Sequence, residues 1–363
     1  MPKNLVEHFS IIEDPRRGRV AYDLTEILVI VTCALFSEVE TFVDIADWAE
    51  FKEPWLRRFL PLKNGVPSHD TLNRVFRLLD PKVFSTVFAD WVGEVLPTLG
   101  HVAIDGKSLR GARREGANPI HLVSAFATEV GLVLAQHQVG NKGNELDGAK
   151  ALLEALQLRG CLVSIDAIGC RSDLAHQIRA RGADYLLCVK GNQPKLRRAL
   201  EDAFTQTPEA SAFEQTERGH GRRIVRHAEV IANTGLIDTQ LWPGCRTLGC
   251  ILSLRAEGDK TPQLETRYYI SSAALSSEQL ARAVRQHWAI ENDLHWRLDV
   301  MMREDACVVS RDNAPENLSI IRRLILNMLK LDTAHPKKSV RLRRKRAGWD
   351  DDERMRVLGM VAI

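Results

Sequence analysis

Two short apolar runs end in an aspartate, and the chain around them alternates between extended and helical grammar. Val102-Ala-Ile104 leads into Asp105, and Leu162-Val-Ser-Ile165 leads into Asp166. Between and after them the pattern predicts strands over Ile120 to Thr128 and Leu132 to Val139, joined by the turn Glu129-Val-Gly131. A helix over Leu146 to Leu158 is stopped by Gly160, a helix over Asp173 to Arg181 is closed by Gly182, and a last strand runs from Tyr185 to Val189. A tight turn makes the first pairings antiparallel, whereas helix-connected strands run parallel, so the sheet is mixed. If the strands of Asp105 and Asp166 are parallel neighbours, both carboxylates leave the sheet at one edge, close enough to share a cation. The plainer account is that each aspartate simply opens a turn.

The order strand, strand, strand, helix, strand, helix, strand resembles the ribonuclease H-like fold. The expected class is therefore α/β, with a mixed-sheet core over 98–330. An all-α module over 1–97 precedes it, with helices opened at Asp23, Thr41, Pro54, Pro67-Ser68 and Pro81. Leu72, Val75, Phe76 and Leu79 form an apolar stripe at helical spacing. Such a module suits helix-turn-helix-like DNA contact through Arg58, Arg74 and Arg77, and equally any small helical bundle. Residues 192–268 interrupt the core as a mostly β insertion. It has turn chemistry at Gly219, Gly221, Pro243-Gly244 and Gly258, extended runs over Arg223 to Ile231, Thr247 to Arg255 and Glu265 to Ser271, and a basic cluster of Arg218, His220, Arg222, Arg223 and Arg226. Ser276-Ser-Glu-Gln279 is a capping-box start for a helix reaching Trp296, and Pro315 opens another.

Apolar residues make up 45% of the 363, enough for a packed core, which excludes a disordered chain. The net charge of +3 does not itself indicate nucleic acid, but its distribution does. Lys337, Lys338, Arg341, Arg343, Arg344, Lys345 and Arg346 crowd the segment 331–363, and Arg16, Arg17 and Arg19 cluster near the start. That basic tail is expected to be mobile without DNA; a merely solvated tail is the alternative. Seven cysteines without paired spacing fit a reducing cytoplasm. The first residues lack a signal-peptide pattern, and the run Ile27 to Phe36 is too short to span a bilayer, so no membrane partner is expected.

Glu291 adds a third carboxylate. Leu280, Val284, His287, Leu294 and Leu298 recur at helical spacing, and Glu291 falls on the same stripe. An ionised carboxylate on an apolar face is costly unless paired or metal-bound. Its partner is either a neighbour such as Arg285 or His295, or a cation shared with Asp105 and Asp166. Three carboxylates without cysteine suit Mg²⁺ or Mn²⁺. Two such ions about 4 Å apart activate an attacking hydroxyl and stabilise a leaving oxygen in phosphoryl transfer. His287, Glu291 and His295 stand four apart and also permit a separate zinc site. Trp288 and Trp296 are either core aromatics or stacking platforms for an unpaired base. Asp299, Glu304 and Asp305 are the fallback carboxylates.

The segment from Arg285-Gln-His-Trp through Glu291 to Val300, followed by Arg303-Glu-Asp305, resembles the third-carboxylate signature of the H-repeat-associated DDE transposases of bacterial insertion sequences. Ile104-Asp-Gly-Lys107, Ser164-Ile-Asp-Ala167 with Gly169-Cys170, and Val189-Lys-Gly-Asn-Gln193 resemble that family's other core motifs, and Ile12-Glu-Asp-Pro-Arg16 with Pro67-Ser-His-Asp-Thr71 its N-terminal region. The resemblance covers nearly the whole chain. It implies that Asp105, Asp166 and Glu291 are catalytic and bind two divalent ions, and that the substrate is double-stranded DNA, both terminal inverted repeats and target. It further implies a homodimer or larger on DNA, in the bacterial cytoplasm at the nucleoid. Related transposases carry a Tyr, Arg, Glu, Lys pattern where this chain has Val284, His287, Glu291 and Leu298, so those roles do not transfer. Lys107, Arg110, Arg285, His287, His295, Arg297, Arg343 and Arg344 are the candidate DNA contacts instead. A nuclease without joining activity and a non-catalytic DNA-binding descendant are the alternative functions.

Overall fold

The computed structural model describes residues 5–96, 98–112, 119–140, 142–207, 211–219, 222–257 and 261–359. Among the sequence expectations, His220, Gly221 and Gly258 lie outside these residues, as do the side chains of Arg218 and Arg222.

Polar caps and proline open the N-terminal helices where the sequence places them. α1 (Leu5–Phe9) is followed by α2 (Leu24–Leu35), whose first turn is capped by Asp23. A Thr41–Asp44 capping box opens α3 (Phe42–Phe51), and α4 (Glu53–Leu56) carries proline in its first turn. Ser68 caps α5 (His69–Leu78), and Asp80 with Pro81 starts α6 (Pro81–Val95).

The core then runs β1 (His101–Leu109), β2 (Ile120–Ala127), β3 (Leu132–Val139), α7 (Glu145–Ala155), β4 (Leu162–Ile165), α8 (Ser172–Ala180) and β5 (Asp184–Val189). β1–β2 and β2–β3 are antiparallel, whereas β1–β4 and β4–β5 are parallel. The spatial order β3-β2-β1-β4-β5 is the ribonuclease H-like arrangement.

The insertion begins with α9 (Pro194–Gln206), which the sequence reading missed. It continues as β6 (Ser211–Gly219), also missed, β7 (Arg222–Ala232), β8 (Thr247–Glu257) and β9 (Gln263–Ser271). It is not a separate β unit. β9 pairs antiparallel with β5, so the insertion strands extend the core into one nine-stranded sheet.

α10 (Ser277–His287) lies across that sheet, with Leu280, Ala283 and Val284 packed on Leu186 and Cys188 of β5 and on Ala228, Ile251 and Tyr269 of the insertion. A π-helical turn (Ile290–His295) and α11 (Trp296–Val300) follow, then the apolar α12 (Ala314–Leu331). The tail is a correction to expectation: it folds into α13 (Val340–Trp349) and α14 (Asp351–Val357), packed on the N-terminal helices. Arg354 is fully buried, 5.2 and 5.0 Å from the Trp48 and Trp55 ring centres. The three sequence segments share one continuous apolar core running from Ile27 through Val102 to Leu329 and Leu358. No described helix is long and apolar enough to cross a membrane.

Candidate active site

Parallel pairing brings the two aspartates side by side. Ile104 of β1 stands opposite Ile165 of β4, so Asp105 and Asp166 occupy the next matched position, on backbones about 4.8 Å apart. Side chains alternate along a strand, so His101 and Asp105 share the α10 face with Ser164 and Asp166. β5 continues the register with Leu187 opposite Ile165, and Lys190 emerges just beyond its end. The Lys190 ammonium lies 3.3 Å from Asp166 Oδ1. Its loop is pinned by the amides of Asn192 and Gln193, which donate to the carbonyls of Ala167 (2.7 Å) and Cys170 (2.9 Å).

Glu291 arrives from the opposite side, on the π-helical turn. A π turn holds an extra residue and breaks the helical register. Ile290, Leu294 and Leu298 are therefore buried while Glu291 is exposed. This corrects the sequence argument: Glu291 is not on the buried stripe, and no apolar face demands its neutralisation. Neither expected ion-pair partner takes it. Arg285 pairs with Glu217 at 2.6 Å, and His295 Nδ1 faces Asp105 Oδ2 at 3.6 Å.

Charge couples the three carboxylates. Burial pushes the Asp105 carboxyl up to about 7; the Gly106 N–H opposes this, and Glu291, Glu145 and Asp166 reinforce it. Glu291, though exposed, is partly desolvated where it faces the site, which raises its carboxyl as well, with Asp166 adding to it. Asp166 stays below the usual carboxylate range: burial works against it, but the Ala167 N–H and Lys190 outweigh that. A small cleft beside the pair is lined by Asp105, Gly106, Asp166, Ile168 and Glu145. Glu145 is a fourth carboxylate that the sequence reading missed. It is held 2.7 Å from His121 Nε2, whose Nδ1 lies 2.9 Å from Ser108 Oγ. Gly106 makes room for this contact, since a Cβ there would sit 2.5 Å from His121 Nε2 and 2.8 Å from Glu145 Oε1.

The donor set suits a hard divalent cation, since every candidate ligand is a carboxylate oxygen and their mutual repulsion is only partly met by Lys190. As placed, no three His, Cys, Asp or Glu side chains among the described residues are close enough to hold one ion together. Asp105 and Asp166 are in matched register on neighbouring strands, and Glu291 is the member whose side chain is exposed. The four-residue histidine ladder does not make a zinc site, as the π turn separates its members. His287 bonds Ser164 Oγ at 2.9 Å, while His295 turns toward Asp105. Burial drives both imidazoles to low pKa, His287 to about 4 and His295 to about 3.

The remaining sequence-named residues scatter. Lys107 is buried among Asp299 (2.7 Å), Asp305 (2.9 Å) and Glu304 (3.3 Å), so it is a structural cation rather than a phosphate contact. Those carboxylates are thereby engaged: Glu304 is also paired with Arg323 at 2.8 Å, and neither it nor its neighbours are free to replace Glu291. Arg297 is tied to Asp293 at 2.5 Å. Arg344 is buried with its guanidinium on the carbonyls of Leu35 (2.6 Å) and Met301, and Arg343 donates to those of Asp332 (2.9 Å), Lys338 (3.0 Å) and Leu329 (3.1 Å). Both are withdrawn from DNA. Arg110, whose side chain is 83% exposed, and Arg285, at 54%, remain open to a partner. Trp288 stacks under Arg267 at 4.6 Å, while Trp296 is exposed.

The strand expected to end at Asp105 in fact continues to Leu109. A mixed ribonuclease H-like sheet with an aspartate midway along β1, a second just past β4, and a facing helix glutamate is the design of the DDE transposases. The chain belongs to that family: residues 97–328 match the transposase DDE domain, and residues 6–92 match the DDE_Tnp_1-associated domain. It is 39% identical over 364 residues to the "H repeat-associated putative transposase YhhI" of Escherichia coli K12, covering 96% of each chain. It is 38% identical to the "Putative transposase YncI" of Escherichia coli O157:H7, covering 95% of this chain and 91% of that one. Among solved structures, a piggyBac transposase synaptic complex with hairpin DNA aligns over 97% of this chain and 76% of that one, at 11% identity and a TM-score of 0.44, too distant to argue from.

Proposed function

We propose that this chain cuts DNA at the inverted repeats ending an insertion sequence and joins the freed 3′ ends to target DNA. Asp105, Asp166 and Glu291 are its catalytic residues and hold two Mg²⁺ or Mn²⁺ ions. The observation that carries the reading is the matched register of Asp105, midway along β1, and Asp166, just past the end of β4, on two neighbouring interior strands, with Glu291 on the facing π turn. Bound there, the ions supply activation of the attacking hydroxyl and charge stabilisation at the leaving oxygen.

The chain's own groups do the rest. Asp105 and Asp166 are fixed by adjacent strands, so their spacing needs no ordering when substrate arrives. Glu291 is the adjustable member, because its side chain is exposed while Ile290 and Leu294 of the same turn are buried and hold the backbone. Lys190 neutralises Asp166 while no other cation does, and becomes free to meet a phosphate oxygen once it is displaced. In the first exchange water attacks the phosphorus, and the bond to the 3′ oxygen breaks to leave a 3′-OH. In the second, that 3′-OH attacks a target phosphodiester and a target 3′ oxygen leaves, so one diester replaces another. Arg110 and Arg285, whose side chains stay exposed, are its backbone contacts. Joining two ends calls for two active sites, hence a dimer or larger on DNA, working at the nucleoid in the cytoplasm.

The test is incubation with Mg²⁺ or Mn²⁺ and a linear duplex carrying the element's own ends, plus a supercoiled target. Cleavage followed by covalently joined product is expected. Hydrolysis with no joined product would assign a nuclease instead, and tight binding with no cleavage by either metal would assign a silent descendant.

A further inference from the structure

Ser164 sits two residues before Asp166 on the same face of β4 and is buried between two histidines. His101 Nε2 lies 2.8 Å from its Oγ and His287 Nδ1 lies 2.9 Å from it. One hydroxyl has one proton, so one histidine must accept from Ser164 and the other must donate to it. The far side of His101 decides which. Its Nδ1 faces Gln286 Oε1 at 3.2 Å and Thr128 Oγ1 at 3.1 Å, while the Thr128 hydroxyl donates to the His101 carbonyl at 3.3 Å. The Gln286 amide oxygen can only accept, so His101 carries its proton on Nδ1, which leaves the Thr128 hydroxyl to donate to the His101 carbonyl. Its Nε2 is bare and accepts from Ser164. The Ser164 oxygen then accepts from His287, which must be protonated on Nδ1 and bare on Nε2.

The chain leaves His287 with an unusual assignment at a telling place. Its Nδ1 edge is fixed on the sheet, so Nε2 projects from the opposite edge of the ring. The charged groups around that imidazole are Asp166, Lys190 and Arg267. His287 is also one helical turn before Glu291, where α10 gives way to the π turn. A bare ring nitrogen beside Asp166 cannot donate to a phosphate; it can accept from a hydroxyl.

We propose that the Thr128–His101–Ser164–His287 chain holds His287 as the Nδ1–H tautomer and presents the Nε2 lone pair beside Asp166, where it accepts the hydrogen bond of the attacking water or 3′-OH and orients it. The role toward the nucleophile rests on the transposase reading above; the tautomer does not. No proton needs to leave the hydroxyl for Nε2 in this step. Ser164 and His101 are positioning residues that act through His287. The arrangement explains why a buried serine separates two histidines on three different elements, each bearing or adjoining one of the three carboxylates.

Nitrogen-15 spectra of the full chain with labelled histidine read the tautomer directly, and the His287 ring is assigned through its own backbone amide, so no variant has to fold. A protonated Nδ1 and bare Nε2 at His287 are expected. In Ser164→Ala the fraction carrying its proton on Nε2 should rise. A wild-type His287 protonated on Nε2 would overturn the proposal. For the nucleophile, His287→Asn keeps an N–H at the Nδ1 position and removes Nε2. Its kcat for Mn²⁺-dependent nicking should drop at least about tenfold, with KM for DNA and Mn²⁺ affinity unchanged. Wild-type kcat in His287→Asn, where Asp166→Asn abolishes nicking, would overturn this role alone. Nicking that survives Asp166→Asn would instead strike the transposase reading, with the tautomer still decided by the spectrum.

Discussion

Asp105 is the residue at which burial and like charge meet. Its carboxyl is pushed up to about 7, so a divalent ion must displace a proton from it at and below that pH. Mn²⁺ affinity measured by calorimetry should weaken as pH falls from 8 to 6, and Asp105→Asn should weaken binding at pH 8 and flatten the profile. A pH-independent wild-type affinity would contradict this. Gly106, next in the chain, leaves room for the His121–Glu145 pair, and a Cβ there would push those two side chains apart. Gly106→Ala should cost about 1–3 kcal/mol of stability in chemical denaturation, the scale of an overpacked site. Much of this was readable from the chain. Period-two alternation puts His101 and Ser164 on the faces of Asp105 and Asp166, and Lys190 stands in a motif quoted for its resemblance. Glu145 was not readable, since it comes from the start of a helix on the far side of the sheet and reaches the cleft only past a glycine.

At the scale of elements, the π turn and the two C-terminal helices departed most from the sequence. Helical spacing assumes an unbroken helix from Ser276 to Trp296, and nothing in the residue pattern announces the extra residue that turns Glu291 outward. The insertion's strands were visible by alternation, but α9 was hidden among charged residues and β6 lacked an apolar face. The tail misled because a run of arginines reads as a solvated phosphate-binding surface, while the structure supplies partners that sequence does not order: carbonyls for Arg343 and Arg344, Glu353 for Arg346, and two tryptophans for Arg354. Arg344→Ala should therefore destabilise the protein by about 2–3 kcal/mol, the loss of charge-assisted bonds. The salt slope of DNA binding should not change, whereas a phosphate contact would make it shallower. On α12, burial raises Glu316 to about 7, with Asp80 adding to it. A carboxyl raised in the folded state adds stability at low pH that is lost as pH rises through the folded value. Glu316→Gln should thus gain in melting temperature over the wild type as pH goes from 5 to 8.

Across the whole molecule, one sheet joins the catalytic core to its insertion, and one apolar core joins both to the helices at either end of the chain. Sequence grammar divided the chain into module, core and tail because local pattern reports elements, not which elements share a core. DNA affinity should fall steeply with salt, since phosphate contacts release counterions. Arg110→Ala should reduce that slope by about one. DNA cleavage by this chain requires Asp105, Asp166 and Glu291 to act as one centre. The deciding measurement is Mn²⁺-dependent nicking of duplexes carrying the element's ends by the wild type, Asp105→Asn, Asp166→Asn and Glu291→Gln, each first shown to melt like the wild type. Nicking by the wild type and loss of at least about a thousandfold in every variant is the predicted result, a scale set by removal of a charge-stabilising catalytic group. A folded Glu291→Gln that nicks at the wild-type rate would contradict it.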